Sequence, residues 1–107
     1  FFTDAFAFDQ KAVEKRLKVE GVPELLDEVA EKYAVLPVFD LQTTHEMLTA
    51  MGEARGSGLG AMVHPVRVAV SGLAEGPGLF EMLVLLGRDT VCARLREVAK
   101  RLRAGTL

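Results

Sequence analysis

Apolar positions recur at helical spacing along almost the whole chain. Asp9 can cap a short helix running to about Lys18, with Val13 and Leu17 on one face. Gly21, Val22 and Pro23 then punctuate the chain, and Pro23 suits a first helical turn. Beyond it, Leu25, Leu26, Val29, Tyr33 and Leu36 share one face, opposite Glu24, Asp27, Glu28 and Glu31, until Pro37 stops the helix. Thr43 followed by Glu46 reads as a capping box for the next helix, whose inner side is Met47, Leu48 and Met51. Arg55 to Gly60 reads as a Gly-rich linker. Two short helices follow, about Pro65 to Ser71 and Gly78 to Leu86. The stretch VRVAVS also alternates with period two, but its proline start and glycine end favour a helix. The last helix runs from about Asp89 to Arg103, with Val91, Leu95, Val98 and Leu102 as one stripe and Arg96, Lys100 and Arg103 on the opposite side. The pattern predicts an all-α fold, a compact bundle or helical cage of about five to six short helices. One domain spans residues 1–107.

Composition alters this picture only in how charge is spread. At 107 residues, half of them apolar and 26% charged, the chain is ordinary for a globular domain. Its net charge of −2 exerts no global pull on nucleic acid, and no DNA partner is expected. Residues 1–53, however, carry 11 acidic and 5 basic side chains, and residues 54–107 carry 4 and 8. A polyanion is therefore expected to meet the second half. A lone cysteine, Cys92, leaves no internal disulfide and points away from an oxidising compartment. No apolar run approaches the roughly 18 residues of a membrane span, and no signal-peptide pattern occurs, so a cytoplasmic setting without membrane contact is expected. The start on Phe1-Phe2, without Met, suggests a piece of a longer protein.

The candidate chemistry lies in HPVRVAVSGLAEGPGLF, His64 to Phe80. Arg67 stands in a short apolar helix that Gly72 can stop in a left-handed turn, and a Gly76-Pro77-Gly78-Leu79 corner opens the next helix about ten residues later. One planar guanidinium near open backbone N–H groups suits phosphates or nucleotide base edges. Arg67 can equally tie two helices together through Glu75 or Glu81. His64 reads as a cap or packing residue that also stands where it can touch a phosphate. GSGLGA, Gly56 to Ala61, matches a dinucleotide-binding fingerprint only formally, because neither strand of the required unit is present. His45 and His64 stand apart from Cys92, which excludes metal-site spacing, and the carboxylates are scattered over helix faces. No catalytic group can be named, and Cys92 reads as a small packing residue.

The order of these words resembles the C-terminal anticodon-binding domain of the bacterial glutamyl-tRNA synthetases, class I aminoacyl-tRNA synthetases. The matching segments are HPVRVAVSG (His64 to Gly72), GPGLFEMLVLLGRD (Gly76 to Asp89) and VCARLREVAKRL (Val91 to Leu102), with a looser match in FFTDAFAFDQKAVEK (Phe1 to Lys15). The resemblance implies a non-catalytic module that reads the anticodon loop of tRNA(Glu), joined in cis to upstream synthetase domains. HIGH- and KMSKS-like motifs are absent, so no cofactor is implied for these residues; ATP and Mg2+ would serve the parent enzyme elsewhere. Carried over by position, the anticodon contacts are Arg67, Gly76, Pro77 and Leu79, with Arg67 on a base edge or phosphate and Pro77 and Leu79 as apolar surface. His64, Arg96, Lys100 and Arg103 are candidate phosphate contacts. Gly76 stands where the family usually has a hydroxyl residue, and Leu73 where it has Lys or Arg. The competing reading is a helical protein-interaction module that binds no RNA.

Overall fold

A computed structural model describes residues 8–73 and 78–106. Six helical segments follow one another in it. Helix α1 spans Gln10–Ala12 and continues as a wider π-helical turn, Val13–Leu17. Helices α2 (Val22–Ala34), α3 (Leu41–Ala54), α4 (Gly58–Ser71), α5 (Leu79–Leu86) and α6 (Arg88–Ala104) complete the order. No strand occurs among the described residues. The all-α expectation holds, and VRVAVS is helical, ended by Gly72 at φ 79°.

Each helix forms for a reason visible in its ends and its buried stripe. The Asp9 carboxylate accepts from the Lys11 N–H at the start of α1. Leu25, Leu26, Val29 and Tyr33 bury one face of α2, as the spacing predicts, and Val22 and Ala30 join them, while the helix ends at Ala34, two residues short of Leu36. The cap of α3 lies one turn earlier than expected. Asp40 is the capping residue, its carboxylate accepting from the Thr43 N–H at 2.8 Å, and the Thr43 hydroxyl accepts in return from the Asp40 N–H at 3.0 Å. The Thr43 N–H most of all, and then the Thr43 hydroxyl, donate to the Asp40 carboxylate and hold it below its usual range.

The second departure concerns the Gly-rich stretch. Only Arg55–Ser57 connects α3 to α4, because α4 already begins at Gly58 and runs through Pro65. Proline removes one helical hydrogen bond, yet Met62, Val66, Val68, Ala69 and Val70 bury α4 on both sides of it and hold the helix together. Gly52 is buried where α3 meets this first turn, and the Ser57 N–H donates to the Gly52 carbonyl at 3.0 Å.

Helices α2 and α6 pack antiparallel along the core. Arg88, at the start of α6, donates to the Leu36 carbonyl just past the end of α2, and its guanidinium stacks over Phe39. Cys92 donates its S–H to the Ala30 carbonyl at 3.4 Å, and burial pushes its thiol pKa up. At the far end Arg103 reaches Asp27 at 2.5 Å and Glu24 at 3.8 Å. Thr44 is fully buried and its hydroxyl donates to the Asp40 carbonyl, while the buried Tyr33 hydroxyl donates to the Thr44 carbonyl at 3.0 Å.

Candidate nucleic-acid interface

Arg67 is held on an unusually well-tied helix end. Val66 and Val68 on either side of it are fully buried, so its backbone is fixed by the core while its own side chain is half-buried. The last carbonyls of α4 would otherwise lack partners. Here the Arg67 carbonyl accepts from the Ser71 hydroxyl at 2.6 Å, and the Val68 carbonyl accepts from the Gly72 N–H at 2.7 Å. The Val70 carbonyl accepts from Arg94 on α6 at 2.7 Å, and the Gly72 carbonyl from the Asp9 N–H at 2.7 Å. The cation of Arg94 also complements the negative end of the α4 dipole. Four fixed points thus define the platform from which the chain leaves toward the corner.

The corner itself is described only in part. Gly76 and Pro77, both expected contacts, lie outside the described residues, as does Glu75. Leu79 is 3% exposed and belongs to the core, so its side chain anchors α5 instead of offering an open apolar surface. The Glu81 carboxylate folds back against Gly78, occupying the space a β-carbon there would take. Phe80, which the sequence did not single out, is half-buried and meets His45 on α3 edge-on, with ring centroids 4.8 Å apart.

The candidate phosphate contacts stand in three different surroundings. Arg96 and Lys100 are exposed, one turn apart on α6. Arg103 is engaged by Asp27 and Glu24 on α2, so part of its charge is spent on the antiparallel helix pair. His64 lies inside α4 and not at its start, half-buried beside Arg16, Arg67 and Lys15. Burial first, then those three cations, push its pKa below the usual 6.5 and keep the ring neutral at pH 7.

That shift has a consequence for stability. The unfolded chain takes up the His64 proton at higher pH than the folded one does, so folding stability is full above about pH 6.5 and falls as pH drops through that value. We expect the melting temperature of the native chain to decline between pH 7 and pH 5.5, and a His64→Gln variant to lose part of that decline. Superimposable pH profiles of melting temperature would show that His64 is not held neutral by its neighbours.

Sequence reasoning missed a set of cations. Lys11, Lys15 and Arg16 on α1 face His64 across an open groove of about 420 Å³, which Asp9, Ala12 and Leu73 complete. Charge counted by halves hides them, because the first half is acidic overall. No cluster of side chains that could hold a metal occurs among the described residues, and none of their helices is long and apolar enough to cross a membrane.

The chain is similar to known proteins along nearly its whole length. The family model described as "Anticodon binding domain" matches residues 1–99. A glutamate–tRNA ligase of Moorella thermoacetica is 43% identical over 103 residues, covering 96% of this chain and 21% of that protein. Glutamate–tRNA ligase 2 of Koribacter versatilis is 42% identical over 90% of this chain and 20% of its own length. A glutamate–tRNA ligase of Salinispora tropica is 42% identical over 94% of this chain and 22% of its own length. The chain therefore spans about a fifth of the length of these curated relatives.

Proposed function

Since the chain belongs to the anticodon-binding domain family, in its glutamate–tRNA ligase branch, we propose that it recognises the anticodon loop of tRNA(Glu) for such an enzyme. The observation that carries this reading is similarity over 96% of the chain to a glutamate–tRNA ligase. The parent enzyme would esterify glutamate to tRNA with ATP and Mg2+ in the cytoplasm, through synthetase domains joined to this one in cis. These 107 residues would supply position and selectivity. A helical protein-interaction module that binds no RNA is not favoured.

Loop recognition requires unstacked bases to meet fixed donors and flat or apolar side chains. The tied end of α4 supports Arg67 in such a role, since a guanidinium fork is selective only when its root does not move. Gly76 and Pro77 complete the proposed contacts from the corner. Leu79 acts from within the core by fixing the first turn of α5.

The direct test is binding of a labelled tRNA(Glu) anticodon stem-loop at low salt, beside a stem-loop of the same length with scrambled loop bases. We expect a clear preference for the native loop. Equal binding to both would reduce the surface to an electrostatic one, and absence of binding to either would overturn the reading.

A further inference from the structure

We infer that the groove between α1 and α4 is a second RNA contact, one that grips the sugar–phosphate backbone on Lys11, Lys15 and Arg16 while Arg67 meets the loop. This rests on the anticodon-loop reading above and adds to it a surface drawn from the acidic half of the chain.

Three observations carry it. The first is that tertiary structure concentrates positive charge where the sequence does not. Among the described residues, three cations, Lys11, Lys15 and Arg16, line the groove beside one carboxylate, Asp9, in a chain whose net charge is −2. Asp9 is already committed, since it accepts from the Lys11 N–H as the cap of α1. The second is shape. A further depression of about 430 Å³ adjoins the groove and shares Lys15, Arg16 and His64 with it, continuing toward Gly21, Arg55 and Ser57. Both are open, so they form a track that fits a linear polyanion better than a small enclosed ligand. Glu20 lines the further part, and Arg55 there is paired with Glu28 at 2.7 Å, so the positive end is the one nearest Leu73.

The third observation is how the track is built. The Asp9 N–H bonds the Gly72 carbonyl, which pins the start of α1 to the stop of α4. The π-helical turn then places Lys15 and Arg16 together, because a wider turn holds more residues and successive side chains diverge less. Such turns are frequent at functional sites. Neutral His64, near Arg16 and Arg67, can donate to a phosphate or ribose oxygen with one ring nitrogen and accept with the other. The cations that surround it repel one another in the free protein, and a phosphate among them relieves that repulsion.

Backbone contacts and loop readout respond differently to substitution, which makes the groove testable. Lys11 and Lys15 are exposed, so a Lys11→Gln/Lys15→Gln variant keeps the fold. It should bind the native and the scrambled stem-loop roughly tenfold more weakly at low salt, with the slope of log affinity against log salt reduced by about 1.5 and the preference for the native loop unchanged. Arg16→Gln should weaken binding further in the same manner. An Arg96→Gln/Lys100→Gln variant serves as the comparison, since neither residue lines the track. If the α1 variant keeps the wild-type slope while the α6 variant loses it, the backbone runs along α6 and the groove is overturned. If the wild-type chain binds neither stem-loop, the anticodon-loop reading falls as a whole, a result separate from failure of the groove alone.

Discussion

Gly52→Ala should destabilise the chain by about 2–3 kcal/mol, while the same change at Gly60, eight residues on, should stabilise it by about 0.5–1 kcal/mol. A β-carbon at Gly52 would stand 2.5 Å from the Gly58 carbonyl oxygen and 2.8 Å from its carbon. Those are backbone atoms at the first turn of α4 and cannot rotate aside. Accommodation requires α3 and α4 to separate, which disturbs Met62 and Leu48, both fully buried. It also strains the turn in which Ser57 N–H bonds the Gly52 carbonyl. At Gly60 a β-carbon meets nothing within 4 Å, so alanine only restores helix propensity. For a domain of this size the Gly52 change corresponds to a fall of roughly 10–20 °C in melting temperature. Thermal unfolding of both variants checks the pair. A Gly52→Ala chain that melts with the wild type would mean the two helices do not meet at this point, and a destabilised Gly60→Ala would mean α4 does not begin at Gly58.

The same glycines explain where the sequence was legible and where it was not. Helices with a single apolar stripe, such as α2 and α6, were legible because burial and polarity alternate on them with one period. Gly58 to Gly60 read as linker because glycine lowers local helix propensity, and propensity is a local quantity. What makes the segment helical is contact with α3, between residues that the period of a single helix does not relate. The cap of α3 lies a turn before Thr43 for a kindred reason: Thr43 has a capping hydroxyl, but Asp40 precedes it with a carboxylate that accepts from the Thr43 N–H. Next to the candidate site, Gly72 is legible from the need for a left-handed stop. The α1–α4 groove is not legible, since Lys11, Lys15 and Arg16 lie in residues 1–53, which count as acidic taken together. Nor does the sequence single out the arginines that hold the fold, Arg88 on Leu36 and Arg94 on Val70. Their partners are backbone carbonyls, which leave no pattern in the side chains.

Arg67→Ala should remove most of the preference for the native anticodon loop, about 1–3 kcal/mol or roughly 5- to 150-fold in relative affinity. The reason is rigidity. Buried Val66 and Val68 fix the root of the side chain, and four hydrogen-bonded carbonyls fix the end of its helix. A guanidinium presented from such a platform can form two parallel hydrogen bonds to one base edge, and a base of the wrong pattern leaves those donors unpaired. Charge alone does not discriminate between bases, because every nucleotide carries the same phosphate. Arg67→Lys separates the two contributions. It keeps the charge and should keep near-native affinity for a scrambled loop, yet it loses the planar fork and with it most of the preference. Lys11→Gln/Lys15→Gln should show the reverse, weaker binding with the preference intact. If Arg67→Ala unfolds at the native temperature and still selects the native loop, the base-reading donors lie elsewhere, and the Gly76-Pro77 corner is the next place to substitute.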